Sequence, residues 1–327
     1  MRFLVRRLGF LLVAMWAALT LNFFIPRLMP GNPAESMMAR FRGHVNPSAL
    51  HALEVAFGVD THRSLISSYF EYLNNTVHGN LGISISYFPI PVSTMIMRAL
   101  PWSLGLVGVS TVLGFIFGTA LGAIAAWRRG GKLDSILPPT FIVISAFPYF
   151  WVGLLAIWFF ALTLNWFPIL GGYNETATEA WNWPFIGDVL WHAVLPAFTI
   201  LITSIGGWIL TMRNNMITVV AEDYVKMARA KGLRPRRILW QYAGRNAMLP
   251  NLTGFAMSLG FVISGAILVE YVFNYPGVGF MLLQAVQNED YPLMQALFLL
   301  ITVAVLLAIF VSDIVTAILD PRTRVRS

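Results

Sequence analysis

The sequence predicts an all-α integral membrane protein with six transmembrane helices, on three observations. Of 327 residues, 57% are hydrophobic and only 11% charged, too few to clothe a soluble surface of that size. Six apolar runs (8–25, 104–127, 136–164, 194–212, 252–269 and 293–312) match or approach the roughly 20 residues a helix needs to cross hydrocarbon, and none holds Asp, Glu, Lys, Arg or His. Lys and Arg are segregated: with the N-terminus inside, seventeen of the 22 fall on inner segments, leaving Arg27, Arg40, Arg42, Arg63 and Arg98 outside. Both termini are then cytoplasmic. The net charge of +7 is a topology signal and not the footprint of a nucleic-acid partner. Without cysteine, disulfides and thiolate chemistry are excluded.

Residues 1–28 read as a retained transmembrane helix. Arg6 and Arg7 precede an apolar run that is long for a signal core, and no small-x-small cleavage pattern follows it. Residues 29–99 are too polar for a span and too long for a turn, so they form an extracytoplasmic layer. In it, Asn46-Pro47 opens a short helix that stops at Gly58, with Leu50, Leu53 and Phe57 on one face. A second helix covers 63–77, and Pro89-Ile90-Pro91 opens an apolar stretch, 92–97, expected near the interface. His44, His51, His62 and His78 fit no metal spacing, so no metal is expected there.

Residues 100–320 form a five-helix core, followed by a cytoplasmic tail at 321–327. Gly114, Gly118 and Gly122 make a small-xxx-small stripe that lets a second helix approach closely, within this chain or on another. Pro148 is expected to kink the third span, and such a kink can line a pathway. Trp166, Trp181, Trp183 and Trp191 crowd the outer loop 165–191, as an interfacial belt or as a stacking surface for a passing solute. Glu270 and Asp313 are acids at span edges. Glu270, with Phe273 and Tyr275, reads as part of an outer gate or path, and Asp313 as an inner-interface anchor.

The cytoplasmic loop 213–248 is the most informative segment. A helix is expected over 221–231, with Glu222 and Asp223 in its first turn and Lys226, Arg229 and Lys231 toward its end, matching the helix dipole. Tyr224, Ala228, Ala230 and Leu233 give it a small apolar face, and Gly232 is placed to end it in a left-handed turn. Pro235 opens a second helix toward Asn246. On physical grounds this is either a docking element or a plain basic hairpin.

Resemblance adds to this reading. Asp223-Tyr224-Val225, Ala228-Arg229-Ala230-Lys231-Gly232-Leu233 and Arg245-Asn246-Ala247-Met248-Leu249-Pro250 resemble the coupling loop of ABC importer permeases, most closely the dipeptide/oligopeptide family. Further matches run the length of the chain: Met29-Pro30-Gly31-Asn32-Pro33, Gly79-Asn80-Leu81-Gly82, Pro148-Tyr149-Phe150-Trp151, Leu195-Pro196-Ala197, Tyr275-Pro276-Gly277-Val278-Gly279, Asp290-Tyr291-Pro292 and Leu319-Asp320-Pro321-Arg322. The long first outer loop matches one of that family's two permease types. Arg245 stands where the general importer pattern has a proline, a departure that the peptide branch tolerates.

The resemblance implies a type I importer permease that pairs with a second homologous permease, two ABC ATPase subunits and an extracytoplasmic binding protein. It implies that Glu222, Asp223, Tyr224, Lys226, Ala228, Arg229, Ala230, Lys231, Gly232 and Leu233 form the loop that couples to the ATPase, and that the substrate is a peptide or, alternatively, an oligosaccharide or nickel chelate. No G-x-x-x-x-G-K-[ST] motif is present, so ATP binding and catalysis belong to another subunit and no cofactor is expected here. An ion-coupled secondary transporter would need ionisable ligands at mid-membrane, and the six runs have none. Neither G-x-S-x-G nor H-E-x-x-H appears, which argues against an intramembrane enzyme.

Overall fold

The computed structural model describes residues 2–28, 64–174, 176–177 and 182–319. The short helix expected at 46–58, His44, His51, His62, Trp181 and the tail at 321–327 lie outside the described residues. Six helices make the first half of the bundle: α1 (Arg2–Leu28), α2 (Leu65–Val77), α3 (Val92–Trp127), α4 (Lys132–Ala146), α5 (Tyr149–Thr163) and α6 (Trp183–Val220). Six more follow: α7 (Asp223–Ala230), α8 (235–247), α9 (Leu249–Phe261), α10 (Ile267–Val272), α11 (Val278–Gln287) and α12 (Tyr291–Leu319). Among the described residues the regular structure is helical, apart from one bridge between Ile83 and Pro91.

Among the described residues, four helices are apolar and long enough to span: α1, α3, α6 and α12. Helix α3 runs for 36 residues and α6 for 38. At 1.5 Å per residue these are about 54 and 57 Å long, well beyond a hydrocarbon core of about 30 Å. The stretch 92–97, expected along the interface, is instead the start of α3. Its Val92, Met95 and Ile96 are buried in a cluster with Val278, Leu282 and Leu293. Trp183 and Trp191, expected in a loop, ride on α6, which Asn182 opens by accepting from Phe185 N–H at 2.9 Å.

The third run, 136–164, is not one kinked helix. Helices α4 and α5 meet at 94°. Pro148 disfavours helical geometry at the residue before it, and Phe147 is extended at ψ 139°. The fifth run, 252–269, is also interrupted. Helix α9 ends at Phe261, and Gly265 turns the chain with φ +69° before α10.

The glycine stripe packs inside this chain. A Cβ on Gly118 would meet Trp208 Cβ at 2.5 Å, and one on Gly122 would collide with the Ile209 carbonyl, so α3 and α6 touch backbone to backbone. Helix α1 is strapped along α12 at two heights. Asn22 and Gln295 exchange amide hydrogen bonds with each other's carbonyls at 2.8 and 3.0 Å, and Arg7 pairs with Asp313 at 2.9 Å. Helix α2 rests on the far end of α1, where Thr20 and Tyr69 hydroxyls meet at 2.8 Å. Asn251 ties three helices together by donating to the Thr119 hydroxyl at 3.0 Å and the Trp208 carbonyl at 3.3 Å.

Candidate functional site

At the basic end of the bundle, α7 is a two-turn helix keyed into the chain on one face and open on the other. Val225 and Ala228, three residues apart, are buried in a cluster with Ala123, Met212, Met216 and Leu239. Arg229 lies over the Trp127 ring at 5.2 Å, and Asn246 of α8 donates to the Tyr224 hydroxyl at 2.8 Å. Helix α7 is thus packed against α3, α6 and α8. The α4 end is tied to the same body by an ion pair between Asp134 and Arg213.

The end of α7 closes as a Schellman turn. Gly232 N–H donates to the Arg229 carbonyl at 2.9 Å and Leu233 N–H to the Ala228 carbonyl at 3.3 Å, with Gly232 at φ +71°. A Cβ at Gly232 would meet nothing within 4 Å, so conformation rather than space demands glycine there. Glu222 sits at the N-cap rather than in the first turn. Lys226 bonds Asp223 at 2.9 Å and holds that carboxyl below its ordinary value.

The structure divides the residues expected in this element. Ala228 faces inward with Val225, and so is taken up by the chain's own core. Leu233 is half-buried against the same cluster. Glu222, Asp223, Tyr224, Lys226, Arg229, Ala230, Lys231 and Gly232 are exposed. Val225 and Met227 were not among the expected residues. Met227 is 59% exposed, and a large apolar residue left open on a short charged helix is the signal that marks it.

At the opposite end of the bundle lies Glu270. It is fully buried, and each carboxylate oxygen accepts twice. Oε1 takes the Ser103 hydroxyl at 2.8 Å and Ala266 N–H at 3.4 Å, while Oε2 takes Gly279 N–H at 2.7 Å and Phe280 N–H at 3.2 Å. The Ser103 oxygen in turn accepts from Val278 N–H at 2.8 Å. Side chains at Gly265, Gly277 or Gly279 would press on this carboxylate, so three glycines let backbone close around it. The result is a clamp joining α3, α10 and the start of α11.

Phe273 and Tyr275 are buried beside the clamp, with Trp102 edge-on to Tyr275 at 5.6 Å. Pro148 is exposed at the α4–α5 bend, outside that cluster. A second buried acid, Asp290, takes the Ser84 hydroxyl and Ser86 N–H at 2.9 Å, and caps α12 by accepting from Leu293 N–H at 3.3 Å. Its position one residue before Tyr291-Pro292 is the helix-start signal that could have identified it.

These features define a multi-pass helical membrane protein with a short, half-exposed helix at its basic end. The chain belongs to the family of binding-protein-dependent transport system inner membrane components, whose model matches residues 118–325. It is similar to the di/tripeptide transport system permease protein of Pseudomonas aeruginosa, 33% identical over 98% of each chain. It is likewise similar to the oligopeptide transport system permease protein of Bacillus subtilis, 33% identical over 92% of each, and to the dipeptide transport system permease protein of Lactococcus lactis, 30% identical over 99% of each. It is thus an inner-membrane protein that crosses the bilayer several times.

Proposed function

We propose that this chain is the pore-forming permease subunit of an ATP-driven importer that takes up short peptides delivered by an extracytoplasmic binding protein. The relatives' names support peptide over oligosaccharide. A second homologous permease completes the pore, and two ABC ATPases supply the energy. The basic end faces the cytoplasm, in keeping with the distribution of Lys and Arg.

One observation carries the mechanism: α7 has one face locked into α3, α6 and α8, and one face free. The free face, with Tyr224, Met227, Ala230 and Lys231, enters a groove of the ATPase. Closure of the ATPase pair on ATP pushes α7. The buried Val225 and Ala228 transmit that push into α6, and α6 carries it across the bilayer. This is rigid-body gating, driven by contacts that differ between two states.

Met227→Asp places a charge in the proposed contact without touching the chain's own core. Membrane levels are expected to stay normal, while co-purification of the ATPase falls at least about tenfold, the scale of one lost interface anchor. Full co-purification from that variant would remove α7 from the interface. Uptake of labelled di- and tripeptides by cells carrying the importer checks the substrate, and uptake of an oligosaccharide in their place would defeat the peptide assignment.

A further inference from the structure

A cavity of about 500 Å³ opens among α3, α6 and α8 at the basic end. Thr119 and Met212 form one wall, and Trp240, Gln241, Tyr242 and Arg245 the other. A π-helical turn, Ile238–Gly244, builds most of that second wall, and wide turns of this kind recur at functional sites.

Among the polar side chains in the walls, free donors outnumber free acceptors. Arg245 has no ion-pair partner among the described residues, and no acid lines the cavity. Gln241 spends its oxygen on Arg237 Nε at 3.0 Å, which leaves its NH₂ group to donate. The Thr119 oxygen accepts from Asn251 Nδ2 at 3.0 Å, which leaves its hydroxyl proton to donate. Five guanidinium donors, an amide and a hydroxyl thus meet around a space walled otherwise by rings and thioether. That is the chemistry of a carboxylate with an apolar body attached.

We infer that this cavity is a cytoplasmic vestibule that binds the C-terminal carboxylate of a short peptide, with Arg245 as its main partner. The inference rests on the reading of the protein as a peptide importer. Arg245 would pair with the carboxylate, Thr119 and Gln241 would fix its orientation, and Trp240 and Tyr242 would take the peptide's side chains. A volume of about 500 Å³ is within the range of small-ligand sites. A peptide leaving the pore would dwell here before release, and peptide accumulated in the cytoplasm would compete for the same place.

The test uses the intact complex of permeases and ATPases in nanodiscs, titrated with dialanine and with dialanine amide. The expected result is saturable dialanine binding, with the amide at least about tenfold weaker, as loss of a charge-assisted hydrogen bond dictates. Arg245→Gln is expected to bring dialanine down to the amide's level, and Arg245→Lys to restore part of the difference. Equal binding of acid and amide would overturn the inference, as would an acid preference that survives Arg245→Gln. Release of the ATPase by Arg245→Gln would also overturn it, by making Arg245 a docking residue for an acid on that subunit. Uptake of dialanine by the wild-type importer with its binding protein, measured in parallel, separates the two readings. Uptake without acid–amide discrimination defeats the vestibule alone, and absence of peptide uptake defeats the importer reading with it.

Discussion

Glu270→Ala is expected to destabilise the subunit severely, with Glu270→Gln much milder. The alanine variant removes the acceptor for Ser103, Ala266, Gly279 and Phe280 at once. Each buried donor left unmet costs about 1–3 kcal/mol, and water entering the vacated space offsets part of the sum, so the net loss is on the order of 3–5 kcal/mol. Glutamine keeps the volume. Its carbonyl can accept from Gly279 and Phe280, while its NH₂ turns toward Ser103, whose hydroxyl can rotate to accept, and only the long bond from Ala266 N–H is lost. Thermal unfolding of the purified subunit and limited proteolysis across 262–290 read this directly. A residue that touched substrate would behave in the opposite way: both variants would remain folded, and glutamine would abolish uptake. That pattern would return Glu270 to the transport path.

Gly232→Val is expected to separate ATP hydrolysis from transport. At φ +71° a β-branched residue carries about 1–3 kcal/mol of backbone strain, enough to open the Schellman turn and release the bonds from Gly232 and Leu233. The axis of α7 is then no longer fixed relative to the body it must move. The clear space around Gly232 makes the prediction sharper, because no steric clash competes with the conformational argument. Asparagine visits the left-handed region readily, so Gly232→Asn should transport nearly as well as wild type. In proteoliposomes the valine variant should hydrolyse ATP while uptake falls at least about tenfold, if most of that strain is relieved by moving α7. Membrane levels should not change, since the turn lies at the exposed end of the helix. Normal uptake by the valine variant would sink the lever.

Much of the structure of 222–247 was legible in the sequence because its signals are local. The acid-first, base-last order of 222–231, the glycine at its end and the proline three residues on each act within a turn or two of backbone. Which face of α7 points inward was less legible. Val225 and Ala228 are ordinary apolar residues until Met212, Met216 and Leu239 are brought against them from segments on either side of the loop. The spans show the same division. Hydropathy located the long apolar runs but passed over the shorter apolar helix Val278–Gln287, and it could not register that Phe147-Pro148 turns one run by 94° or that Gly265 breaks another.

By itself, the sequence determined the membrane class and the helix–turn–helix at 222–247. These follow from transfer of apolar surface into lipid and from backbone preferences, both of which act over short stretches of chain. The tertiary structure alone decided that Gly114, Gly118 and Gly122 pack on α6, and that Glu270 is buried with backbone N–H groups of Ala266, Gly279 and Phe280 closed around it. It alone showed that Arg245 lines a space with no acid beside it. The physical reason is that a hydrogen bond or a close approach depends on which distant segments the bundle brings within 3 Å, and in lipid that choice rests on packing rather than on any pattern readable along one helix.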